Sequence, residues 1–112
     1  LNMARPEYSL SCEAEGRAVI AGVLRLASPS MYDAVFAPLQ QALDRSGGTY
    51  EIDITGLRFM NSSAVTALSH LVLAAAMRKQ ELRLVVDEAT GWQGKTASTL
   101  QRLHGGLVVV AA

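Results

Sequence analysis

The 112 residues predict an α/β fold, a mixed and mostly parallel five-stranded sheet with helices mainly on one face, in the order β-β-α-β-α-β-α-β. Three observations carry that prediction. Short runs alternate apolar and polar residues with the period of a half-buried strand. Stretches with apolar residues at helical spacing separate those runs after the first pair. Strands separated by helices must pair in parallel through right-handed crossovers, and an opening hairpin adds one antiparallel pair.

Each element has its own justification. Glu7 to Glu13 sets Tyr8, Leu10 and Cys12 against Glu7, Ser9, Ser11 and Glu13, which reads as a strand. After a turn at Gly16, Ala18 to Leu26 completes the hairpin. A helix starts at Ser30, with Asp33 making an imperfect capping box, and carries Val35, Phe36, Leu39 and Leu43 at helical spacing. Pro38 lacks an N–H, which predicts a kink or two short pieces, and Ser46-Gly47-Gly48 ends the helix. Tyr50 to Thr55 alternates again as a strand that ends at Thr55-Gly56. A short apolar turn follows with Leu57 and Phe59, then the longest helix from Ser62 to Lys79. Glu81 to Asp87 is a strand, Lys95 to His104 the last helix, and Leu107 to Val110 the last strand. With no repeat, low-complexity tract or linker, residues 1–112 read as a single domain.

Composition excludes several functions. Ten basic residues balance ten acidic ones, so nothing attracts a polyphosphate backbone and no nucleic-acid partner is expected. Cys12 stands alone, which rules out an internal disulfide and fits a reducing, cytoplasmic setting. His70 and His104 have no Cys or carboxylate at ligand spacing, so no metal is expected. Ser, His and Asp are all present, but no sequence feature arranges them as nucleophile and base, and no cofactor is expected. The most apolar segment, Val65 to Met77, is broken by Ser69 and His70 and is too short to insert in a membrane.

One motif argues for an enzyme. Ala89 to Thr96, ATGWQGKT, has the spacing of a phosphate-binding loop with Ala89 at the first glycine, and it lies between a strand and a helix. Gly94, Lys95 and Thr96 would then bind nucleotide and magnesium. Against this, the loop follows the fourth of five strands, no second metal-holding Asp is evident, and Trp92 is bulky where the chain must curl. The plainer reading is a turn shaped by Gly91 and Gly94 with a solvated Lys95.

The more informative stretch runs from Ile52 to Leu68. A strand ends in Asp53-Ile-Thr-Gly56, a short apolar turn follows, and Asn61-Ser-Ser-Ala64 opens an apolar helix. Asn and Ser are preferred caps for the free amides of a first helical turn. The pattern resembles the STAS domain, the family of anti-sigma factor antagonists and the cytoplasmic tails of sulfate transporters, and the element order matches it over nearly the whole chain. Asn61 stands where the family usually has Asp, and Ala64 where it usually has Gly. The resemblance implies a single STAS-like domain with no catalysis of its own, acting in bacterial transcription signalling. It implies a phosphoacceptor at Ser62, with Ser63 the second choice, and Asn61 as the helix cap beside it. It further implies an anti-sigma factor serine kinase and a serine phosphatase as partners. An unphosphorylated interaction subunit of a larger complex, such as a transporter, is the alternative.

A phosphate at a helix start meets free N–H groups and the positive end of the dipole, so such a switch changes the surface without unfolding the domain. At about 100° per residue, Val65, Leu68, Val72 and Ala75 share one stripe, the expected core face. Ser62, Thr66, Ser69, Leu73 and Met77 fall opposite, where Leu73 and Met77 are apolar on a side that is usually polar. Thr66, Ser69, Leu73 and Met77 are therefore the expected partner-binding ridge, with Ser62 at its end.

Overall fold

The computed structural model describes residues 6–14 and 16–112. Strands β1 (Tyr8–Ala14) and β2 (Arg17–Leu24) form the hairpin, followed by a 3₁₀ turn at Pro29–Tyr32 and helix α1 (Asp33–Arg45). Then come β3 (Tyr50–Met60), α2 (Ser62–Met77), β4 (Leu82–Val86), α3 (Gly91–Gln101) and β5 (Leu107–Ala111). The strands lie in the spatial order β1-β2-β3-β4-β5, antiparallel in the first pair and parallel in the rest. Every crossover is right-handed by rule and steps in the same direction, so all the helices cover one face. The expected α/β order and mixed sheet are present.

Burial follows from that arrangement. Ile20, Leu24, Tyr50, Ile52, Ile54, Leu82, Leu84 and Leu107 point inward under Phe36, Leu39 and Leu43 of α1 and Leu68, Leu71 and Val72 of α2. The opposite sheet face is open and partly charged. Arg17 donates to Glu51 and Asp53, both at 2.9 Å, and Arg83 stands 3.7 Å from Glu51.

Several boundaries differ from expectation, each for a physical reason. The helix does not start at Ser30; Pro29 opens a 3₁₀ turn, the Ser30 hydroxyl pairs with that of Ser28 at 3.2 Å, and the α-helix begins at Asp33. Helix α1 runs unbroken through Pro38. The bond Pro38 cannot make would have gone to Ala34, and both residues are exposed, where water can serve that carbonyl. Strand β3 does not end at Thr55-Gly56. It continues beside β2 to Met60 through two register shifts, so the segment with Leu57 and Phe59 is bulged strand, not turn. Helix α2 stops two residues early because Lys79 takes a left-handed φ of 57°. Its N–H bonds Ala76 and that of Gln80 bonds Ala75, closing a Schellman cap without glycine.

The last helix departs most, starting at Gly91 where Lys95 was expected. Gln93, Ala97 and Leu100 form its buried stripe. The Gln93 side chain is fully buried, and its Nε2 donates to the carbonyls of Ile54 and Leu57, both at 2.9 Å. Its Oε1 accepts from Asp87 N at 2.8 Å. The glutamine thus fastens α3 to the bulged part of β3 and to the end of β4.

Candidate functional site

Residues 60 to 64 join the end of β3 to the start of α2, and the local hydrogen bonds explain why the helix begins there. Asn61 is extended (φ −77°, ψ 173°) and its Oδ1 accepts from Ala64 N at 2.9 Å, an N-cap in the preferred geometry. Its N–H donates to the Leu24 carbonyl at 2.9 Å, and Val65 N returns to the Asn61 carbonyl at 3.1 Å. Two further bonds use the rest of the amide. Oδ1 accepts from the Tyr32 hydroxyl at 3.1 Å, and Nδ2 donates to the Leu26 carbonyl at 2.8 Å. The Tyr32 hydroxyl also accepts from Leu26 N at 2.8 Å. Burial raises its pKa, so the hydroxyl stays protonated and able to donate to Asn61. A carboxylate at position 61 would keep the cap but could not donate to Leu26. That is a physical reason for Asn in place of the Asp seen in the resembling family.

The two serines are placed differently. Ser62 is exposed in the first turn of α2, and its N–H and that of Ser63 precede the first intrahelical bond. Ser63 is half-buried, and its hydroxyl donates to the Ala27 carbonyl at 3.3 Å. Farther along the helix, Thr66 is exposed, while Ser69 is half-buried with its hydroxyl turned back to the Val65 carbonyl at 2.7 Å. Leu73 is 40% and Met77 86% exposed. Of the expected core stripe, Leu68, Val72 and Ala75 are buried and Val65 partly so; Ala64, Ala67 and Leu71 complete the inward face. No Asp, Glu, Lys or Arg occurs anywhere in α2.

Sequence reasoning did not single out three further residues. Met31 is 51% exposed in the 3₁₀ turn, and Phe59 48% exposed one residue before the end of β3. Tyr32, fully buried, stacks on Phe36 with ring centroids 5.5 Å apart. Both rings line a groove of about 350 Å³ between α1 and α2, with Ala67 and Leu71 on its other wall and Asp33 and His70 at the rim. The isolated Tyr32 and Phe59 were the available signals, but their sites depend on contacts 29 or more residues away in sequence.

The residues proposed for nucleotide lie elsewhere and in the wrong conformation. Gly94, Lys95 and Thr96 sit inside α3, beyond its first turn, with Lys95 exposed. A phosphate cradle needs a run of free backbone N–H groups ahead of the helix, and in α3 these groups point along the helix axis to preceding carbonyls. The motif's conformation is that of a helix start built around buried Gln93, so the loop reading is corrected. His104 is likewise structural. Its Nδ1 accepts from Gly106 N at 3.0 Å, which leaves Nε2 to donate to the Gln80 carbonyl at 2.6 Å.

The chain is similar over its full length to a solved structure, the activator SiaC in the crystal structure of the diguanylate cyclase SiaD in complex with SiaC from Pseudomonas aeruginosa. The identity is 14%, the TM-score 0.72, and the match covers 100% of this chain and 99% of that one. The two share a fold. No protein-family model and no curated protein sequence matches this chain. Among the described residues no helix is long and apolar enough to cross a membrane.

Proposed function

We propose that this domain is a non-catalytic, protein-binding regulator of the STAS type, switched by phosphorylation of Ser62. The observation that carries the proposal is the exposed Ser62 hydroxyl in the first turn of a helix that bears no charged side chain. Leu73 and Met77 are exposed on that same charge-free helix, apolar where a solvated face is usually polar, which is the composition of a contact surface. The similar protein of known structure is an activator that was solved bound to the enzyme it activates, which supports the same class of role here. An anti-sigma factor serine kinase and a serine phosphatase, acting in the cytoplasm, are the partners this reading calls for.

Energetics favour the switch at Ser62. A phosphoryl group adds about −1.5 to −2 charge, and the adjacent N–H groups and helix dipole accommodate it within the domain. A partner docked over the same turn must desolvate that charge, at a cost of about 3 kcal/mol or ~100-fold in affinity. Ser63, already bonded to Ala27, has less freedom to enter a kinase site.

Two measurements test the proposal together. Phosphopeptide mapping of the protein purified from its own cells should place phosphate on Ser62. Ser62→Ala should retain, and Ser62→Asp should lose, the protein partner recovered with the wild-type chain. Equal partner affinity for the two variants, with no phosphate on Ser62 or Ser63, removes the switch and favours a constitutive binding subunit of a larger assembly.

A further inference from the structure

The free edge at β5 carries backbone groups that nothing in the described chain satisfies. Leu82 N donates to the Gly106 carbonyl at 3.2 Å and Ala112 N to the Val86 carbonyl at 2.9 Å. In a parallel ladder the groups facing the neighbour alternate, so the even-numbered residues from Gly106 to Ala112 face β4. The N–H and C=O of Val109, and the N–H of Ala111, therefore point outward at the edge. Leu107 is partly engaged, its N–H held by the His104 carbonyl at 3.1 Å and its carbonyl accepting from Gln101 Nε2 at 3.4 Å.

Edges of this kind are normally guarded by charge, proline or a bulge. Strand β5, Leu-Val-Val-Val-Ala, has none of these, and its pairing with β4 runs without a register shift. The other edge is guarded. Strand β1 shifts register between Ser11 and Ala14, and the Glu7–Arg25 ion pair at 2.8 Å stands beside its start. A head-to-tail chain of β5 on β1 is thereby disfavoured, which leaves an edge complementary to itself.

We propose that a second copy of this chain pairs with β5, antiparallel about a two-fold axis at Val109, and joins the two sheets into one. In that register the two Val109 residues exchange both backbone bonds, and each Ala111 N–H meets the Leu107 carbonyl of the other copy. Side chains agree with the backbone. Val108, 52% exposed on the open face, meets Val110 of the second copy, and the partly buried Val109 residues meet on the helix side. A five-residue ladder is a small interface, so the association is concentration-dependent, with a dissociation constant of roughly 10–100 μM.

Sedimentation velocity from about 1 to about 500 μM reads the equilibrium directly. The wild-type chain should pass from monomer to dimer. Val109→Pro removes only the outward N–H and no bond to β4, so it should stay monomeric with an unchanged far-UV circular dichroism spectrum. Val108→Lys places a guarding charge on an exposed side chain and should weaken the dimer at least about tenfold; it gives the answer independently if the proline variant does not fold. A wild-type chain that stays monomeric throughout overturns the proposal, even if the edge captures a strand from another protein. A dimer that survives both substitutions also overturns it.

Discussion

Asn61→Asp tests the account of the helix start, because it restores the residue common in the resembling family and should nonetheless weaken this domain. The cap to Ala64 N (2.9 Å) survives, and a negative charge at the helix N-terminus contributes about 0.3–1 kcal/mol. Against this, the donor to the Leu26 carbonyl disappears and a carboxylate oxygen takes its place at a separation of 2.8 Å. The lost bond and the unsatisfied carbonyl together cost about 2 kcal/mol. The net expectation is a destabilisation of about 1 kcal/mol at pH 7, or roughly 4 °C in Tm for a domain of this size. Placing a carboxyl group against a carbonyl favours its protonated form, whose O–H can donate to Leu26. The deficit should therefore be smallest at low pH and grow as the carboxyl ionises. Urea unfolding of both proteins across pH 3.5 to 7.5, about the range over which an Asp carboxyl ionises, measures it. An Asp variant as stable as wild type at neutral pH would show that helix-end charge outweighs the donor, and the explanation for Asn61 would be wrong.

Gln93→Leu strands the Ile54 and Leu57 carbonyls and Asp87 N in the interior and should cost about 3–5 kcal/mol in chemical unfolding. Burial raises the Tyr50 pKa to about 12, so the unfolded chain ionises first and stability present below pH 10 is lost as pH rises toward that value. Tyr50→Phe should shrink that alkaline loss by ~2 kcal/mol. It should cost little at pH 7, because the buried hydroxyl has only the Cys12 thiol, a weak hydrogen-bonding group, as a partner. Magnesium–ATP should leave Trp92 fluorescence unchanged up to millimolar concentrations; saturable binding abolished by Lys95→Ala would restore the phosphate-loop reading.

Much of the fold was legible because strand alternation and helical spacing are local signals. Tyr50, Ile52 and Ile54 alternate in sequence and are buried in the structure. What escaped was held by distant partners. Gln93 hid the start of α3, since a polar residue on the inward face breaks the apolar period, and only the carbonyls of β3 explain it. The continuation of β3 past Gly56 was masked by bulges that destroy alternation. Ser62 and Asn61 were visible as a helix start, whereas the second role of Asn61 toward Leu26 and Tyr32 needs residues brought in from before α1.

Strands that neighbour one another along the chain also neighbour one another across the sheet. Each newly made strand finds the previous one as its seam, with no need to wedge between two already joined, and the longest search spans a single helix. Low sequence separation of this sort shortens the loops that must close and speeds assembly. The same order leaves β5 as the margin of the fabric, with its far side unpaired among the described residues.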